Sequence, residues 1–275
     1  MTLQTSGAIS MSQINAEFGL GNSLSAYRGV KAWNSSGNLV TLPSTSLGFD
    51  DFYGLSYGSS AIEYQDIYTA GGSYTTSRTF TGCSFGAAHP TRRVFVAAYS
   101  FFYDGATGWT ITGVTIGGVA ATIHTVTRTT DTDTGVAVAL CSAKIPTGTS
   151  GSVAVTSNRT VLYNSVALYR AVFLEDNSPT FAQHYALAGS TNPASATVTV
   201  PDNGIVLAAS GVYRWATRTQ TWSGVTENYD NPLGSLNSNW SGGSIRVATG
   251  GSRTVSATVN NIDNSNRRFA VLTWK

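Results

Sequence analysis

From about residue 60 onward, apolar and polar residues alternate with a period of two, and Gly, Asn, Asp and Pro interrupt the alternation. RRVFVAAYSFFY and GVAVALCSAKI are apolar on both faces, which is typical of central strands. PDNG at 201–204 lies between two apolar runs and is a strong turn signal. The pattern predicts an all-β region. Its further strand-like runs are WTITGVTIGG, GSVAVTS, SVALYRAVF, SATVTV, GIVLAASGVYRWA, TWSGVTENYD, GSIRVATG, SRTVSATV and RRFAVLTWK.

The two halves of this region resemble each other. VFVAA at 94–98 matches IVLAA at 205–209, an offset of 111 (205 − 94), and GVT recurs at the same offset. Later in each half, GSVAVT corresponds to RTVSATV, and VALYR corresponds to AVLTW. The order predicts two similar β-sandwich units, immunoglobulin-like or jelly-roll-like, at 58–176 and 177–275. Convergence of apolar strand patterns is the alternative.

The first 57 residues follow a different pattern of short helical turns that end at glycine. Ser10 is a helix cap, and Gln13 three residues later completes a capping box. Ile14 and Phe18 then share one helical face, and Gly19 ends the turn. The segments SLSAYRG and STSLGFDDFYG repeat this design. Each turn is too short to be stable alone, so the segment needs a partner surface.

Composition narrows the functional classes. Hydrophobic residues make up 41% of the 275 residues, charged residues only 11%, and the net charge is +2. This net charge is too small to produce an electrostatic potential that would attract nucleic acid or an anionic membrane. No run reaches the ~20 apolar residues of a membrane helix, and no secretory signal is predicted. Cys83 and Cys141 form no CxxC pair and are expected to be buried free thiols.

Residues for catalysis or metal binding are few. His89, His124 and His184 have no metal-ligand spacing, and no nucleophile elbow, phosphate loop or HExxH helix occurs. DTDTG at 131–135 begins like a calcium loop but lacks its later ligands, which favours a hairpin turn. We therefore expect no enzyme activity, no metal and no cofactor. A glycosidase would need a facing pair of carboxylates, and none stands out among Asp104, Glu175, Asp176, Glu227 and Asp230.

Aromatic residues in the second half suggest a glycan site. Flat aromatic faces beside amides and carboxylates bind sugars, and the candidate residues are Tyr213, Trp215, Trp222, Tyr229 and Trp240. The alternative is that these side chains fill sandwich cores or subunit interfaces. The pairs Arg92-Arg93 and Arg267-Arg268 each precede an apolar strand. We expect them to be solvated strand ends, or charged residues that disfavour edge-to-edge pairing of strands.

The N-terminal pattern resembles a motif of tailed-bacteriophage virion proteins. That motif has a small residue plus Gly, an Ile-Ser pair, a helix ending in Glu-Phe-Gly, a Ser-Leu turn and a closing aromatic-Tyr-Gly. The matching positions are Ser6, Gly7, Ile9, Ser10, Ile14, Glu17, Phe18, Gly19, Ser23, Leu24, Tyr27, Gly29, Phe52, Tyr53 and Gly54. The resemblance implies a structural protein of the virion, in the tail, baseplate, collar or an attached fibre, with other virion proteins as partners.

This resemblance gives the segment 1–57 a role as a virion-anchoring arm. We expect a homo-oligomer with the symmetry of the particle, and an arm that is mobile until assembly. The residues expected to be buried only in the particle are Ile9, Ile14, Phe18, Leu24, Tyr27, Phe49, Phe52 and Tyr53. The alternatives are that the arm packs on its own sandwich, and that the chain is a virion adhesin for a host surface glycan.

Overall fold

The computed structural model describes residues 2–102, 108–128, 135–175, 179–186, 192–213, 218–233, 238–260 and 266–275. It begins with the helix α1 (Met11–Phe18). The predicted capping box is confirmed, because the amide of Gln13 donates to Ser10 Oγ (3.3 Å) and the amide of Ser10 donates to Gln13 Oε1 (2.8 Å). Gly19 ends the helix with φ 72°, a left-handed conformation that favours glycine.

Short elements complete the N-terminal segment. Two 3₁₀ turns, Leu24–Tyr27 and Phe49–Phe52, lie at the predicted helical turns. Between them, β1 (Lys31–Trp33) and β2 (Leu39–Thr41) form an antiparallel hairpin that the sequence patterns did not predict.

The rest of the described chain is β-structure, as predicted. Its strands are β3 (Ala61–Ser84), β4 (Arg93–Phe102), β5 (Ile111–Ile116), β6 (Val119–Ala120), β7 (Thr122–Arg128), β8 (Gly135–Lys144), β9 (Ser150–Val172), β10 (Thr180–Ala186), β11 (Ala194–Val200), β12 (Gly204–Tyr213), β13 (Gln220–Ser223), β14 (Thr226–Leu233), β15 (Ser238–Val247), β16 (Gly251–Val259) and β17 (Asn266–Trp274). GSVAVTS and SVALYRAVF, which the pattern separates, belong to the single strand β9. PDNG is a turn, in which the amide of Gly204 donates to Pro201 O (3.0 Å).

The strands of the first half form one seven-stranded antiparallel sheet, and those of the second half form antiparallel sheets of five and three strands. In the first half, the long strands β3 and β9 pair along their length and contribute to two layers. The outer layer contains β5, β6, the start of β9 and the end of β3, and the inner layer is completed by β4, β8 and β7. In the second half, the inner layer has the order β10-β17-β12-β15-β14, and the outer layer has the order β11-β16-β13.

Three buried apolar clusters lie between the layers. The first core fills the first unit and includes Val94, Val96 and Leu168. The second core joins the inner layers of both units and includes Tyr99 and Trp240. The third core fills the second unit. Because the second core is shared, each inner layer is buried on both faces, which explains the long apolar runs of its strands.

The same topology occurs in both halves. The strand order β3-β9-β4-β8-β7 in the first inner layer corresponds to β10-β17-β12-β15-β14 in the second. No described strand pairs across the two units, and the boundaries predicted at 57 and 176 fall between sheets. The repeat agrees with a duplicated unit, whereas folding of each unit by itself stays a prediction.

The offset of 111 between the halves is wrong by one residue. Val94 points into the first core, but Ile205, its match at that offset, points into the second core between the units. An offset of 112 pairs Val94 with Val206 and places each in the buried apolar core of its own unit. Matching turns give the same value, because the amides of Arg92 and Gly204 donate to His89 O and Pro201 O, and 201 − 89 is 112. A shift of one residue exchanges the two faces of a strand, and runs that are apolar on both faces conceal it.

The arginine pairs also differ from expectation. Arg92, Arg267 and Arg268 are buried and not solvated. The guanidinium of Arg92 donates to the carbonyl oxygens of Phe85, Gly86, Ile145, Thr147 and Gly148 at 2.6–3.4 Å. It therefore joins two loops at the end of the first unit.

Candidate assembly module at the N-terminus

The N-terminal segment is a folded module with its own core. Residues near its two ends are joined, because the amide of Leu3 donates to Leu55 O (2.8 Å) and the amide of Gly54 donates to Gln4 O (2.9 Å). The buried apolar residues of this core are Leu3, Ile14, Phe18, Tyr27, Ala32, Leu42, Phe52 and Leu55. The rings of Phe18, Tyr27 and Phe52 contact each other edge to face, with centroids 5.5–5.7 Å apart. We call residues 2–57 the N-terminal module.

This core corrects the prediction of an arm that is buried only in the particle. Ile14, Phe18, Tyr27 and Phe52 are already buried within the chain. They cover one another because the three helical turns and the hairpin bring their short apolar faces together. Sequence reasoning treated each turn alone and so missed this mutual burial.

The other four anchor residues are less covered. Ile9 and Leu24 are partly buried against the module core. Tyr53 is also partly buried, and its hydroxyl donates to Gly7 O. Phe49 is 39% exposed, and so is Leu20, which was not among the predicted residues. Their role in anchoring stays a prediction.

An ion-pair group lies where the module contacts the β-sheets. Lys31 Nζ in β1 lies 3.0 Å from Glu175 Oε2, and Lys275 Nζ lies 3.2 Å from Glu175 Oε1. Burial raises the pKa of the Glu175 carboxyl, but hydrogen bonds and charge from the two lysines outweigh burial and leave the pKa below its usual value. No local motif could reveal this contact, because Lys31 and Glu175 are 144 positions apart.

Phe173 is the apolar part of the same joint. Its backbone has φ 56°, an uncommon conformation for a bulky residue that requires support from its surroundings. Trp33 of the module and His89 of the first unit provide that support, with ring centroids 6.2 Å and 4.8 Å from Phe173. A Cβ at Gly58 would lie within 2.5 Å of the Phe173 ring, so any larger residue at position 58 would have to displace that ring. A cleft of about 210 Å³ lies beside the joint, lined in part by Lys31, Tyr57 and Phe173.

The described residues do not assemble the predicted glycan site. Tyr213, Tyr229 and Trp240 are buried in the second core, where Trp240 stacks on Tyr99 with centroids 5.3 Å apart. Trp222 is half-buried and stacks on Phe269. Trp215 lies outside the described residues. For the three buried side chains the glycan prediction is wrong, because a side chain enclosed between two sheets has no face free for a sugar, and the core alternative holds.

Several titratable residues of the described ranges are buried or half-buried. Glu227 and Asp230 both have a raised pKa, chiefly through burial, and both Asp230 carboxylate oxygens accept from the amide of Gln220. His124 packs on Trp274 and bonds Ser142 Oγ at 2.8 Å, which is a packing role. Cys83 and Cys141 are buried free thiols, as predicted.

The described part of the chain holds no group of three or more His, Cys, Asp or Glu residues that could bind a metal. Positions 131–134, most of the calcium-loop-like segment, lie outside it. None of its helices is long and apolar enough to span a membrane.

Comparison with known proteins does not assign a family. No family model matches the chain, and no curated protein matches it. Among solved structures, a chain in the cryo-EM structure of the Sputnik virophage shares 10% sequence identity with a TM-score of 0.16, over 86% of this chain and 89% of that chain. A likeness this weak carries no argument about fold or function.

Proposed function

We propose that this chain is a structural component of a tailed-phage particle. In this proposal the N-terminal module anchors the chain to other virion proteins, and the two β-sandwich units are displayed on the particle. The motif resemblance of the module suggests the class of particle. The folded module with its own core supports a separate task for residues 2–57.

One observation carries the proposal: the module leaves large apolar side chains uncovered. Five large apolar side chains are exposed among the described residues, and three of them, Leu20, Phe49 and Tyr57, lie in the first 57 residues. The module is about a fifth of the chain, so exposed apolar side chains are concentrated there. Burying a large apolar side chain from full exposure is worth about 1.5–3 kcal/mol, so covering the exposed 39–43% of each of these three would contribute roughly 1 kcal/mol per residue on assembly.

The geometry of the chain suits anchoring at one end and display at the other. The module contacts the segment after β9 through the pairs Trp33–Phe173 and Lys31–Glu175, and the end of β8 through Lys144, whose ammonium donates to Gly37 O (3.0 Å). The central strands β4 and β12 run away from this joint, and their last residues meet at the far end, where the Phe101 and Tyr213 rings lie 4.7 Å apart. The proposed role is non-enzymatic and needs no cofactor.

Incorporation into particles tests the proposal. The double variant Leu20→Ser/Phe49→Ser removes uncovered side chains without touching the module core, so the protein should fold normally. It should be absent from particles purified from infected cells that express it in place of the wild type. Tyr74→Ser is the matched control, because Tyr74 is 49% exposed on β3 and should be dispensable.

Two results would contradict the proposal. The first is a wild-type protein that does not co-purify with particles. The second is a double variant that is incorporated as well as Tyr74→Ser.

A further inference from the structure

The cleft beside the joint has the features of a binding site. Its volume is about 210 Å³, and its walls come from the N-terminal module, the end of the first unit and the second unit. Trp33 and Phe173 contribute aromatic surface, whereas Lys31, Glu175 and Lys275 contribute charge. A concave site with apolar walls and a few converging polar groups is the usual form of a site for a small molecule.

Two uncommon backbone conformations occur at this cleft. Among the described residues, Phe173 (φ 56°) and Asn203 (φ 54°) are the non-glycine residues with a left-handed backbone, and both line the cleft. Asparagine adopts this conformation readily, but a bulky residue such as phenylalanine does not. Residues that the surrounding structure holds in uncommon conformations cluster at binding sites. The backbone of Phe173 therefore marks this cleft independently of its shape.

The charges at the cleft are held in position, and cations outnumber carboxylates. Glu175 Oε2 lies 3.0 Å from Lys31 Nζ, and Glu175 Oε1 lies 3.2 Å from Lys275 Nζ. One carboxylate thus orients two ammonium groups and balances only one of their charges. Because an ammonium group has three donors, each lysine keeps donors for a ligand. Arg246 adds a third cation nearby, since its Nη2 donates to Asn203 Oδ1 (2.9 Å).

Neutral polar groups and an open aromatic face complete the cleft. Ser59 and Asn203 line it and are exposed, so their side chains are accessible to a ligand. Tyr57 also lines it and is 43% exposed, although one face of its ring stacks on Phe18. The Glu17 carboxylate accepts from the amide of Tyr57 (2.9 Å) but does not line the cleft.

We propose that this cleft binds one residue of an acidic sugar, a pyranose ring that carries a carboxylate. The apolar face of the ring packs on the aromatic wall, its hydroxyls bond Glu175, Ser59 and Asn203, and its carboxylate accepts from Lys31 and Lys275. A neutral sugar leaves the ammonium groups unused, and an aromatic acid leaves the hydroxyl and amide groups without partners. The volume is below the about 300–1,000 Å³ of sites for larger ligands, so it suits a single ring. The inference does not depend on the virion role.

Binding of methyl glucuronide to the full chain in solution tests the proposal. A ligand of about fourteen non-hydrogen atoms is expected to bind with a Kd of about 1 mM. In an NMR titration, the amide signals of Ser59 and Asn203 should shift. Methyl glucoside has the same ring without the carboxylate and should bind about three- to fivefold more weakly. High salt should reduce that difference, because it screens the attraction between the carboxylate and the ammonium groups.

Lysine variants locate the site. Lys31→Met removes one ammonium group from a side chain that is 52% exposed, so the fold should persist. It should weaken binding of the glucuronide about threefold and leave that of the glucoside unchanged, whereas Lys31→Arg should retain the preference. Lys144→Met is the matched control, because Lys144 also contacts the module, at Gly37 O (3.0 Å), but does not line the cleft.

Three results would overturn the proposal. The first is glucuronide binding that is absent at about ten times the expected Kd or no tighter than glucoside binding. The second is an equal effect of Lys31→Met and Lys144→Met. The third is a set of ligand-induced shifts that lies away from Ser59 and Asn203.

Discussion

Replacing Arg92 with alanine should destabilise the protein far more than replacing its neighbour Arg93. The Arg92 guanidinium is buried and donates to five backbone carbonyls. Nε donates to Ile145 O (2.6 Å). Nη1 donates to Phe85 O (3.4 Å) and Gly86 O (2.7 Å), and Nη2 donates to Thr147 O (2.7 Å) and Gly148 O (2.6 Å). A hydrogen bond to a charged group contributes about 1.5–3 kcal/mol, and a buried acceptor without a donor costs about 1–3 kcal/mol. Because water would reach some of the released carbonyls, we expect Arg92→Ala to lower the free energy of unfolding by about 3–5 kcal/mol. This is among the large effects of single substitutions.

Arg93 provides the control at the next position. It is half-buried, donates to Ser142 Oγ (3.2 Å) and lies over the Trp274 ring at 4.7 Å, so Arg93→Ala should cost about 1 kcal/mol. Arg92→Lys should be intermediate, because an ammonium has three donors for five acceptors. Denaturant unfolding followed by tryptophan fluorescence measures all three. A loss below about 1 kcal/mol for Arg92→Ala, or one equal to that of Arg93→Ala, would refute the assignment of Arg92 as a link between loops.

Two further predictions concern the helix cap and the response to pH. Ser10→Ala should destabilise the N-terminal module by about 1 kcal/mol because the helix cap is lost, and hydrogen exchange in α1 should become faster. Ser44→Ala, at an exposed position, should leave hydrogen exchange in α1 unchanged. Equal exchange in both variants would contradict the role of Ser10 as the cap. Burial, with a smaller contribution from the charge of Arg93, lowers the pKa of His124 to about 4. Below its ordinary pKa of 6.5 the unfolded state then binds a proton that the folded state does not, so the free energy of unfolding should fall as the pH decreases from 6.5 toward 4. His124→Gln should reduce that slope, and an identical pH profile for wild type and variant would contradict the assignment.

Local patterns of the sequence determined a large part of the secondary structure. The Ser10 capping box, the end of the helix at Gly19 and the turn at PDNG each depend on residues a few positions apart, and all are found in the structure. The all-β character followed from alternation and from apolar runs, since strand periodicity is a local property. The similarity of the two halves was also visible, because the order of apolar runs survives where loop lengths change.

Only the tertiary structure decided the register between the halves and the environment of single side chains. The offset of 112 replaced 111 because the central strands are apolar on both faces, so their sequence does not reveal which face meets which core. The burial of Arg92 depends on carbonyl groups that come from a loop more than fifty positions away. Tyr229 and Trp240 are core residues because a second sheet covers them. The apolar residues of the N-terminal module bury one another for the same reason. The burial of a residue is set by its neighbours in three dimensions, and those neighbours are distant along the chain.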